Sequence, residues 1–277
     1  MIYCKTLDKS FINKDDLFRE IKANEDKIIS LKRAEKYLSA EKGQLSISGG
    51  YLKIDTALKS GLPVKSGYVY PVINTTRYMD NHADVHFDGI WKKSLSEQGG
   101  KIFYLSGHSM KIDDVIAWPE DVKAFTTLLN WSSVGKNYEG QTEALVFEIQ
   151  ESKMKKDSAI HAIKERRKVQ GSVAMFYVKI IMGVNSDDKD YAINKAYFDS
   201  KINLIANKER ALDEGYFFGI EEAKINREGS MVLFGSNDAT EIIYNDEPPI
   251  KGTLNIMKPD GTTSKEINYE YLIKNLK

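Results

Sequence analysis

One stretch limits the fold more than any other: Ser172-Val-Ala-Met-Phe-Tyr-Val-Lys-Ile-Ile181. β-branched and aromatic residues fill it, and no Gly or Pro breaks it, so it predicts the strongest strand of the chain. It stands between two helical patterns. A charged segment over 154–168 precedes it, and 190–212 follows, with Ala192, Ala196, Ile202 and Leu204 among its apolar positions. Further strands are expected over 67–74, 101–105, 144–149, 217–225 and 230–234. Residues 14–42 read as a helix with Asn13 as cap, Asp15 and Asp16 at the positive end of its dipole, and Leu17, Ile21, Ile28, Leu31 and Leu38 as its apolar stripe. Gly43, Gly49, Gly50, Gly61 and Pro63 then punctuate short elements. The tail predicts a linker at Asn245-Asp-Glu-Pro-Pro249, a hairpin of 252–257 and 263–268 turning at Lys258-Pro-Asp-Gly-Thr262, and a terminal helix over 269–276. Strands and helices in this mixture make an α+β core.

Composition excludes several classes. Apolar residues are 42% and charged residues 29%, enough apolar material for a packed core. Forty Lys and Arg balance forty Asp and Glu, so no net charge drives the chain to nucleic acid or membrane. The single Cys4 forms no internal disulfide or Cys-rich zinc site, and fits a reducing compartment. The start lacks a basic segment followed by an apolar one, so no export signal is expected. No apolar run nears the ~20 residues of a membrane-spanning helix. P-loop, dinucleotide-binding, zinc-protease and Gly-x-Ser-x-Gly patterns are all missing. No cofactor is expected.

Four histidines are available for chemistry. His161 sits in a charged helical pattern and reads as solvated surface. His82 and His86 bracket Asp84, a spacing open to a metal, but no further ligand is singled out. His108 ends an apolar run, Lys101-Ile-Phe-Tyr-Leu-Ser-Gly-His108, where a strand would hold a base at the solvent boundary. Ser172 begins the strongest strand. A serine hydroxyl attacks only when a base takes its proton, and that base needs a group to orient it. On spacing alone, a structural role for each remains the plainer account.

Four segments, in order, resemble the prohead proteases of tailed phages. They are Thr75-Thr-Arg-Tyr-Met-Asp-Asn-His-Ala-Asp84-Val with Gly89-Ile-Trp-Lys-Lys-Ser-Leu95; Tyr104-Leu-Ser-Gly-His108; Gln170-Gly-Ser172-Val-Ala-Met-Phe-Tyr-Val-Lys-Ile180; and Arg227-Glu-Gly-Ser-Met-Val-Leu-Phe-Gly-Ser-Asn237 with Thr240. Together they span about 67–243. The resemblance implies an assemblin-like fold, a small, mostly antiparallel β-barrel decorated with helices. It implies a serine endopeptidase that cuts scaffolding protein, major capsid protein and itself inside the procapsid, in the host cytoplasm. Ser172 matches the nucleophile and His108 the base. Glu228 matches the acidic third member, with Asp187, Asp188 and Asp190 in reserve. Residues 1–60 would be a helical arm or pro-segment, 61–244 the protease core and 245–277 a C-terminal extension. Assemblin relatives pair as homodimers, and nothing in the sequence marks such an interface. Two positions depart from the family: Ala174 replaces a usual Gly, and Ser109 stands where an acid often follows the base. They leave open an alternative, a catalytically inactive capsid-assembly or scaffold-binding module.

Overall fold

The computed structural model describes residues 1–33, 62 and 64–244. The chain divides into two units, Met1–Asn245 and Asp246–Lys277. The expected linker, hairpin and terminal helix of the tail, all of the Gly-rich stretch over 43–63 except residue 62, and the end of the first helix lie outside the described residues.

The chain opens with an antiparallel pair, β1 (Ile2–Cys4) and β2 (Lys9–Phe11). Helix α1 (Lys14–Ala23) follows, and the Asn13 side chain accepts the Asp16 amide at 2.9 Å, capping it as the sequence predicts. The helix expected over 14–42 is interrupted. Asn24 turns its side-chain amide onto the Glu20 carbonyl at 2.8 Å and ends α1, and α2 (Glu25–Arg33) starts at once. A short polar side chain that bonds nearby backbone competes with the helical ladder. Leu17, Phe18, Ile21 and Ile28 enter the main core from these two helices.

Further along come β3 (Tyr68–Thr75), β4 (Asp84–His86), α3 (Lys92–Gln98), β5 (Phe103–Ser106), β6 (Val115–Ala117), β7 (Val122–Asn130) and β8 (Gln141–Gln150). Then follow α4 (Asp157–Lys164), β9 (Gln170–Val184), α5 (Ala192–Lys201), α6 (Lys208–Glu214), β10 (Tyr216–Val232) and β11 (Ile242–Ile243). The pattern over 190–212 splits into α5 and α6. Between them Asn207 spends its side chain on Met79, donating to its carbonyl at 2.9 Å and accepting its amide at 2.8 Å. The two strands expected over 217–234 are one strand, β10. β7 was not anticipated, because its middle is only half-buried and lacks clean alternation.

The strands form an α+β arrangement with two main sheets. In one, β9 lies antiparallel along the whole of one edge of β10. The other edge of β10 takes β4 at Phe218–Ile220 and β5 at Glu228–Met231, both parallel, and β6 flanks β5. The second sheet is antiparallel, in the order β11-β3-β8-β7. Among the described residues neither sheet closes on itself, so no closed barrel is found. The sheets meet where the backbone is thinnest. A Cβ on Gly171 would lie 2.0 Å from the Val72 carbonyl oxygen, and one on Gly229 would lie 2.7 Å from the Phe147 ring. Glycine is what lets β9 and β10 approach the second sheet so closely. No helix of the described residues is long and apolar enough to cross a membrane.

Candidate active site

His108 follows the end of β5, two residues past Ser106. Gly107 and His108 both hold left-handed backbone, φ 62° and 58°. A non-glycine residue persists there only when its surroundings fix it. Here the Gly107 amide donates to the Met231 carbonyl at 2.9 Å and the Ser109 amide to Ser106 at 3.2 Å. The His108 amide donates to Ser230 Oγ at 3.1 Å. The turn is thus fastened to β10.

The imidazole meets Glu228, with Nδ1 and Oε1 2.6 Å apart. Ser230 Oγ donates to the other carboxylate oxygen, Oε2, at 2.5 Å. An ionised carboxylate only accepts, so the proton of a neutral His108 sits on Nδ1 and the lone pair on Nε2. Nε2 is buried and among the described residues has no hydrogen-bond partner. His108 is 9% exposed and Glu228 2%, so the pair is shielded from solvent.

A local irregularity places Glu228. The β9–β10 register shifts between Ile225 and Gly229, and Arg227 at its centre takes φ 62°. Such bulges re-aim side chains. Past it, alternation resumes: Glu228 and Ser230 face the histidine, and Gly229 between them faces Phe147 and Ile73 of the second sheet.

Ser172 is the third residue of β9 and stands directly opposite Ser230 in the ladder. Opposed residues of an antiparallel pair project to one face, with Cβ atoms ~4.5–5.5 Å apart. The Ser172 hydroxyl therefore lies on the face that carries His108 and Glu228. No hydrogen bond joins it to Nε2. Catalytic contacts are commonly long before substrate binds. Gly171 just before it is held by Thr240, whose Oγ1 donates to the Gly171 carbonyl at 2.9 Å. A cleft of about 210 Å³ opens beside the pair, lined by Met110, Ala174, Asn226, Arg227 and Glu228. Ala174 shares the strand face of Ser172, so its methyl group forms part of the cleft wall.

No family model, no curated protein and no solved structure matches the chain.

The other candidates lie elsewhere. Asp187, Asp188 and Asp190 come after Val184, and the strand from Ser172 to Val184 runs roughly 40 Å. Asp188 caps the following turn through the Asp190 amide at 3.0 Å. His161 is exposed on α4. His86 is buried, its Nδ1 2.9 Å from Asn74 Nδ2 and its Nε2 3.2 Å from the Tyr177 hydroxyl. Tyr177 in turn donates to Asp84 at 3.0 Å, and burial, then the Asp84 charge, push the phenol well above its usual range. Asp84 also takes the ammonium of Lys32, which donates to the His82 carbonyl at 3.1 Å. Ring nitrogens so engaged belong to a structural network. Among the described residues no group of three or more His, Cys, Asp or Glu is arranged to hold a metal. The residue that sequence reading passed over is Ser230. It stands in the 227–237 segment without being singled out there, and its two-residue spacing from Glu228 on a strand puts both on one face.

Proposed function

We propose that the protein is a serine endopeptidase of the prohead-protease kind, with Ser172 as nucleophile, His108 as base and Glu228 as the acid that orients it. The observation that carries this reading is the buried His108–Glu228 pair at 2.6 Å, with Nε2 unpartnered among the described residues and Ser172 projecting from the same face of the sheet. In the reaction, Ser172 Oγ bonds to the carbonyl carbon of the scissile peptide and its proton passes to Nε2. The Glu228 charge stabilises the imidazolium that results. Nε2 then returns the proton to the leaving amine as the C–N bond breaks. Water repeats the cycle on the acyl-enzyme and restores Ser172. The cleft beside Ala174 and Arg227 would receive the chain flanking the cut.

On this reading the substrates are the scaffolding and capsid proteins of the same phage, and the two open sheets are a variant of the assemblin-like barrel. Confinement inside the procapsid would raise the effective concentration of substrate, so modest affinity suffices. The test is co-expression with those proteins, read by intact-mass spectrometry. Wild type should release fragments, and Ser172→Ala and His108→Ala should release none. If wild type leaves every partner and itself whole, the inactive assembly module takes the place of the protease.

A further inference from the structure

The hydroxyl of Ser230 is committed twice. Its one proton goes to Glu228 Oε2 at 2.5 Å, and its lone pair receives the His108 amide at 3.1 Å. Ser230 is 0% exposed and faces Ser172 across the ladder. A hydroxyl with its proton already given to a carboxylate, out of reach of solvent, is not a nucleophile. It touches both ends of the histidine arrangement instead: the backbone of His108, and the carboxylate that bonds the ring of the same residue.

That double contact has two consequences. Holding Oε2 fixes the rotation of the carboxylate, so that Oε1 meets Nδ1. Receiving the His108 amide satisfies a donor in a left-handed turn, which would otherwise be a buried N–H without a partner and would pull the turn away from β10. One atom thereby sets where the ring is and which nitrogen carries the proton.

We propose that Ser230 is a positioning residue, which fixes the orientation and tautomer of His108 through Glu228 and the His108 amide; as a statement about catalysis it rests on the protease reading. It makes no contact with the reacting atoms, so its effect should fall on the chemical step and leave substrate affinity alone.

The experiment has two arms on the full chain. The first is proton–nitrogen NMR of ¹⁵N-histidine-labelled protein. Four histidines keep the spectrum simple, and His108→Ala assigns the resonance. Wild type should show a far-downfield Nδ1 proton. Ser230→Ala should move it upfield or lose it to exchange with water, and Ser230→Thr, which keeps the hydroxyl, should restore it. Ser230→Cys, close in size but a weak donor, is read in the same way if the alanine variant does not fold. The second arm is the rate at which a fluorophosphonate labels Ser172, with Ser172→Ala as background. Ser230→Ala should label about tenfold or more slowly, the range expected for losing a hydrogen bond to a charged group, and Ser230→Thr should recover. A Nδ1 resonance unmoved in the folded alanine or cysteine variant overturns the proposal, whatever wild type does with the probe. A resonance that moves while wild type resists labelling supports the positioning of His108 and sinks the protease reading instead.

Discussion

His108 and Gly107 both adopt the left-handed region, and three hydrogen bonds hold the turn against β10 and its own strand. Gly171 does the matching work for Ser172, on the opposite side of the ladder. Its missing side chain admits the Val72 carbonyl, and a Cβ there would lie 2.0 Å from that oxygen. Gly171→Ala should therefore separate β9 from β3 and cost about 1–3 kcal/mol or more. Denaturant midpoints should show the loss, and fluorophosphonate labelling of Ser172 should slow more than stability alone explains. Unchanged midpoints would mean that the strands yield freely. Ser172, His108 and Glu228 were expected as site residues, and the structure brings His108 and Glu228 to 2.6 Å. What else they touch was not legible in the sequence. The His108–Ser230 bond spans 122 positions and depends on a parallel pairing of β5 with β10, and no local pattern encodes which strand a turn will meet.

The resemblance implies that residues 1–60 form a helical arm or pro-segment. The described part, α1 and α2, is built into the core through Leu17, Phe18, Ile21 and Ile28. It also delivers Lys32 to Asp84, with the Lys32 ammonium 4.3 Å from the centre of the Phe218 ring. Nothing in the sequence around Lys32 marks a buried carboxylate 52 residues away. Lys32→Met should keep the packing of the stem and strip the charge from Asp84. A buried ion pair broken on one side typically costs about 3–5 kcal/mol. Pairing the change with Asp84→Asn should recover part of that, as urea unfolding of both variants would reveal. Equal stability of Lys32→Met and wild type would show that Asp84 finds its compensation elsewhere. Runs of β-formers marked β3, β5, β8, β9 and β10, whereas β7 and the short strands β1, β2, β4, β6 and β11 carried no such run. The bulge in β10 escaped because Asn226 and Arg227 look like a loop between two strands, whereas β9 pairs straight past them.

For the molecule as a whole, pH should act on stability through Glu241. Its carboxyl packs against Gly135, and burial, outweighing the pull of Lys168 and Lys136, holds it above the ordinary carboxylate range. A carboxyl whose folded value is raised favours the folded state while protonated. That contribution is present at low pH and is lost as pH rises through the folded value. Glu241→Gln should then be more stable than wild type at neutral pH, and the gap should close on acidification through that range. Urea midpoints at a series of pH values would measure it, and parallel pH profiles would rule it out. The architecture also bears on how the chain can change in length. Between Ile225 and Gly229, β10 advances four residues against two of β9, and this even excess keeps Glu228 and Ser230 on the histidine's face. Removing one residue from the bulge would turn every later position of the strand over, sending the carboxylate toward Phe147 and Gly229 outward. Functional descendants of this chain should carry substitutions in that stretch far more readily than insertions or deletions.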